Sequence, residues 1–105
     1  MLPSRVRREA ELDIDEQAEY YEGEQEGLGG RYVRAVFDQI DVIASHPLKH
    51  REEIDDVRVA LVPKFPFGIF FVVEGDEVVV LAVLDLRRSP RRRLELLRRR
   101  FQADE

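Results

Sequence analysis

With 105 residues, 44% of them apolar and 37% charged, the chain has the material for one small domain with its own core and is too apolar for a disordered tail. It contains no cysteine, which excludes a disulfide framework, a thiolate metal site and a cysteine nucleophile, and fits a reducing compartment. The net charge of −5 is uneven, −10 from Met1 to Asp85 and +5 from Leu86 to Glu105, so nucleic acid is not expected to bind across the whole surface.

In chain order, residues 5–8 alternate weakly and suggest a short edge strand. From Glu9 the pattern turns helical: Ala10, Ile14, Ala18 and Tyr21 share one face, and acids crowd the others. Gly23, Gly27, Gly29 and Gly30 end that helix and permit a reversal. A second helix is predicted from about Gly30 to Ser45, with Val33, Val36, Phe37, Ile40 and Ile43 or Ala44 as its apolar stripe, stopped by Pro47. Residues 46–56 read as an exposed acidic loop.

Val57, Val59 and Leu61 then alternate with Arg58, Ala60 and Val62, the two-residue period of a strand. Two strongly apolar strands follow, Lys64-Phe65-Pro66-Phe67-Gly68-Ile69-Phe70-Phe71-Val72 and Val78-Val79-Val80-Leu81-Ala82-Val83-Leu84-Asp85-Leu86-Arg87-Arg88-Ser89-Pro90, joined by the turn residues Glu74-Gly75-Asp76-Glu77. Apolar residues at nearly every position mean that both faces of these strands are buried. A helical hairpin covers one face, so the other needs the C-terminal segment, a second copy or a different chain. Ser89 and Pro90 suit the start of a helix, and Leu94, Leu97 and Phe101 give it an apolar side. The chain is thus expected to be one domain over 1–105: an α+β fold with an N-terminal helical hairpin packed on a three- or four-stranded antiparallel sheet, and a basic C-terminal helix over 90–105.

That order of parts, over about residues 5 to 90, resembles the RelE/ParE superfamily of bacterial toxins. Its members often read as a helical hairpin, an arginine-bearing strand, an "FPY" strand and a last strand ending in "H-x-R-R-x-P". The resemblance implies the toxin of a type II toxin–antitoxin pair. It also implies that Arg58, Lys64, Arg87 and Arg88 stand where superfamily ribonucleases hold the scissile phosphate. Arginine suits that task because its planar fork grips phosphate or carboxylate with paired hydrogen bonds. The tyrosine of FPY is Phe67 here, a second frequent tyrosine is Phe71, and the histidine before the arginine pair is Asp85. Each change removes a proton-transfer group, and Lys64 and Asp85 are left as catalytic candidates. The implied reading is therefore closer to ParE-like toxins, which bind DNA gyrase, than to ribosome-dependent mRNA interferases. A degenerate member without toxicity is the third alternative.

The expected partners are a cognate antitoxin whose acidic amphipathic tail folds across the arginines of the last strand and C-terminal helix, and gyrase or ribosome-bound mRNA as target. A homo-oligomer is left open. No cofactor or metal is expected: His46 and His50 are separated by Pro47 and lack a third ligand. The N-terminus lacks a signal-peptide segment, and the Val78 run is far shorter than the roughly 20 residues that span a bilayer, so a cytoplasmic location is expected.

Overall fold

The computed structural model describes residues 1–102. Strand β1 (Ser4–Val6) is followed by helices α1 (Arg8–Glu24) and α2 (Leu28–Ser45), a 3-10 turn (Pro47–Lys49), and strands β2 (Glu52–Ile54), β3 (Val57–Leu61), β4 (Phe67–Glu74) and β5 (Glu77–Asp85). Helix α3 (Pro90–Gln102) closes the order, and the last three residues of the expected C-terminal helix lie outside the described residues. The architecture is the expected α+β arrangement of a helical hairpin on a sheet with a C-terminal helix.

The sheet has five strands in the order β1-β5-β4-β3-β2 and is mixed, since β1 runs parallel to β5. This differs from the three or four antiparallel strands expected. The edge strand suggested over residues 5–8 is β1, at Ser4–Val6, and the strand not expected is β2, whose three residues are too few to show a two-residue period. The β2 strand lies within the segment read as an acidic loop, where its Glu52 and Glu53 give the sheet a charged edge.

The hairpin turns sharply because Gly27 takes a left-handed conformation (φ 86°) and Gly29 leaves no room for a side chain. A methyl group at Gly29 would sit 2.5 Å from the Ala18 carbonyl oxygen of α1. With no side chain of its own to cap α2, the chain uses Glu22 of α1, whose carboxylate accepts the amides of Gly27 (2.9 Å) and Gly29 (3.0 Å). On the α2 stripe Val36, Ile40, Ile43 and Ala44 are buried as expected, joined by Tyr32, whereas Phe37 is 43% exposed.

Two cores flank the sheet. Ile14, Tyr32, Ile40, Ile69, Phe71 and Val80 fill the space beneath the hairpin. On the other side Val57, Phe70, Val72, Val79 and Leu81 pack with Leu97, with Leu96 and Phe101 at the margin. The C-terminal segment is thus what covers the second apolar face. A bulge keeps the two sets in phase: Phe70 pairs with Ala82 and Phe71 with Val80, so Leu81 is the extra residue and both Leu81 and Ala82 join the α3 side.

Candidate functional site

The last strand ends beside the turn that opens β4. Phe67 lies opposite Asp85, and the amide of Leu86 donates to the carbonyl of Pro66 (2.9 Å), so the Lys64–Phe67 turn and the Asp85–Arg88 segment form one end of the sheet. Lys64 stands exposed in that turn with φ 70°, on the side where Pro63 and Phe65 line a groove against α2. Gly68 is held close beneath Leu86 and Val59; a Cβ there would lie 3.0 Å and 2.9 Å from their methyl groups.

Asp85 organises this end. Its carboxylate accepts Nε of Arg87 at 3.1 Å, a terminal guanidinium nitrogen at 2.9 Å and the Arg87 amide at 2.9 Å. Arg88 stands further off, with Nε at 3.9 Å and a side chain 86% exposed. The hydrogen bonds from Arg87 hold the Asp85 carboxyl below the usual carboxylate range, against an opposing contribution from burial. Asp85 is consequently ionised near neutral pH and committed to arginine, which makes it a weak proton acceptor.

Arg58 is placed elsewhere. It pairs across the ladder with Phe71, donates to the carbonyl of His50 at 2.6 Å and approaches Glu52 at 3.7 Å. Phe71 is four positions along β4 from Phe67, and β3 is two strands from β5, which puts Arg58 roughly 15 Å from Asp85 by strand spacing. Arg87 and Arg88 therefore share one end with Asp85 and, across the turn, Lys64, while Arg58 belongs to the β2 edge. Beside it, His50 packs edge-on against Phe71 and is held below its ordinary pKa, first by burial and then by the Arg58 charge. The His50 imidazole thus belongs to the Arg58 and β2 edge, away from Arg87 and Arg88.

Sequence reasoning missed what α1 and α3 bring. Tyr20 and Tyr21 of α1 lie within electrostatic reach of Arg87, but both phenols are pushed upward, Tyr20 chiefly by its hydrogen bond with Glu24 and Tyr21 by burial. A phenol shifted upward stays protonated and supplies no base. Next to this end a groove of about 440 Å³ runs between α1 and α3, with Glu16, Arg88 and Arg92 on its walls and Val83 and Leu96 at its floor. Where β1 stops, side chains satisfy the edge of β5. Asp13 accepts the Val83 amide (3.0 Å), and Arg100 donates both to the Leu81 carbonyl (2.9 Å) and to Asp13 (2.7 Å). Arg93 reaches Glu53 (3.1 Å) and lies over the Phe70 ring at 6.0 Å. Arg93, Leu97 and Arg100 recur at spacings of four and three, the signal that could have separated these inward arginines from the rest.

Among the described residues no group of histidine, aspartate and glutamate side chains is arranged to hold a metal, and no helix is long and apolar enough to cross a membrane. Residues 5–90 match the family described as "ParE toxin of type II toxin-antitoxin system, parDE". No curated protein matches the chain. Among solved structures, a chain of "Chromosomal ParDE TA system from P. aeruginosa" superposes with a TM-score of 0.67 at 20% identity, covering 82% of this chain and 97% of that one. At that identity the likeness is one of fold.

Proposed function

From the chain's membership of the ParE toxin family of type II toxin–antitoxin systems, to which it belongs, we propose that it arrests growth by binding DNA gyrase, and that a cognate antitoxin neutralises it. Binding of this kind requires a shaped and charged surface but no proton transfer by the toxin. The observation that carries this reading is the state of Asp85: its carboxylate is engaged three times by Arg87, and the groups beside it are cations and protonated phenols. Cleavage of RNA through its 2′-hydroxyl needs a base for that hydroxyl and an acid for the leaving oxygen, and arginine, with a pKa above about 12, is a poor base. The exposed Arg87 and Arg88 and the turn lysine Lys64 are assigned to target or antitoxin contact. An acidic antitoxin segment laid over this end would compete with the target for the same guanidinium groups.

Asp85→Asn tests the reading. The amide keeps the shape and can still accept the Arg87 amide, but it cannot take a proton. Growth inhibition by the variant, expressed from an inducible promoter, is expected to match the parent within a few-fold. A loss of roughly a hundredfold or more, the size expected for removal of a general base, in a variant that remains folded would make Asp85 catalytic and overturn the binding mechanism.

A further inference from the structure

The six arginines of α3 fall into two sets with different work. Arg93 and Arg100 point inward, with side chains 14% and 17% exposed and carboxylate partners on β2 and α1. Arg91, Arg92, Arg98 and Arg99 lie exposed on the outside of α3. Arg91 approaches Glu95 at 3.8 Å, but those side chains are 90% and 61% exposed, and a pair so open contributes little.

We propose that the outer face of α3 is a contact surface for the backbone phosphates of duplex DNA, a binding site distinct from the Asp85–Arg88 end. The composition of this face suits phosphate. The exposed residues of α3 are Pro90, the four outer arginines, Glu95 and Gln102, whereas Leu94, Leu96, Leu97 and Phe101 are all wholly or partly covered. A protein partner, including an acidic amphipathic tail, binds chiefly through buried aromatic or aliphatic anchors. This face offers none. The exposed apolar groups Leu12, Tyr20, Phe37 and Val42 lie on the hairpin, Leu48 in the 3-10 turn and Leu61 at the end of β3; none is on α3. Phosphate contacts, by contrast, need only donors and charge in register, and guanidinium groups supply both.

The placement of charge also favours a polyanion here. Eleven of the nineteen acids before Leu86 lie on the helical hairpin, whose α1 borders α3 along the groove lined by Glu16 and Arg92, so the acids that bear on the outer arginines are those nearest α3. Acids further from the outer arginines than the Debye length, about 8 Å at physiological salt, are largely screened. Near α3, Glu53 is tied to Arg93 and Arg51, and Asp13 to Arg100. Glu16, at the groove beside Arg92, and Glu95 remain as opposing charges. Helix α3 has 13 residues and spans about 20 Å. That length meets several phosphates on a duplex, whose strands each present one per roughly 3.4 Å of axis.

Binding of the purified full chain to a fluorescent DNA duplex of arbitrary sequence, followed by anisotropy across a salt series, tests this. Three to four phosphate contacts predict a slope of log K against log salt near −3, or a loss of roughly sixtyfold between about 50 and 200 mM salt. Replacing Arg98 and Arg99 together by glutamine is expected to bring the slope toward zero by about 2. The corresponding lysine pair, which retains the charge, should keep the slope and so separates lost contacts from a damaged helix. Phe37→Ser on the hairpin should leave it unchanged. Absence of duplex binding at low salt, or a slope indifferent to the glutamine pair, would overturn the proposal. So would displacement of the duplex by a poly-glutamate peptide at lower charge concentration than by unlabelled DNA, which would identify an acidic protein segment as the partner.

Discussion

Leu97→Ala is expected to destabilise the fold by about 3 kcal/mol, because it empties a fully buried site whose surroundings cannot collapse around it. Leu97 packs in the core formed with Phe70, Val72 and Leu81, and it is the one fully buried residue of α3. The ion pairs of Arg93 and Arg100 fix the ends of the contact but do not replace its apolar area. Removal of the isobutyl group should therefore loosen the whole helix and uncover β4 and β5, whose residues are apolar on both faces. Exposed strands of that composition associate with one another. A urea titration should show the midpoint falling in Leu97→Ala, together with increased binding of an apolar dye, and Leu94→Ala at a partly covered position should move it much less. Equal midpoints for Leu97→Ala and the parent would mean that α3 is not the cover of the second face.

Arg88→Ala should abolish growth inhibition while leaving the protein folded. The side chain is 86% exposed and stands 3.9 Å from Asp85, which is already satisfied by Arg87, so its loss should cost about 1 kcal/mol or less in stability. Its contribution lies outward, toward a partner. Loss of a guanidinium desolvated at an interface leaves its carboxylate or phosphate counterpart unpaired, and such truncations commonly cost about 2 to 5 kcal/mol. Growth curves after induction, alongside circular dichroism of the purified variant, make the comparison. Retained toxicity in a folded Arg88→Ala protein would remove this residue from the contact surface.

The parts legible in the sequence were those with enough residues to show a period. The hairpin, the three strands from Val57 to Asp85 and the α3 helix all follow from spacing, and the doubly apolar β4 and β5 required a second cover that α3 supplies. Of the edge strands, β1 showed as weak alternation over residues 5–8, close to its place at Ser4–Val6, whereas β2 was not legible, since three residues carry little pattern and Glu52-Glu53-Ile54 reads as loop chemistry. At the candidate site, the Asp85 ion pair follows from its neighbours in sequence, and the structure bears out that local geometry. Grouping Arg58 with Arg87 and Arg88 needed register and strand order, which separate them. The inward duty of Arg93 and Arg100 was masked by composition: eight arginines look alike until the helix assigns each a direction. Tyr20 and Tyr21 reach Arg87 only because α1 crosses the sheet at that end, a tertiary fact invisible to local pattern.

The most direct measurement of whether this toxin works by binding gyrase incubates the purified chain with DNA gyrase, supercoiled plasmid and ATP, followed by detergent and protease to reveal trapped breaks, with primer extension on translated mRNA from induced cells in parallel. Double-strand breaks that require both gyrase and the toxin are expected, suppressed in Arg88→Ala and retained in Asp85→Asn, with intact mRNA in the same cells. Intact plasmid together with codon-linked cuts in mRNA would contradict a gyrase mechanism and place the chain's activity on the ribosome.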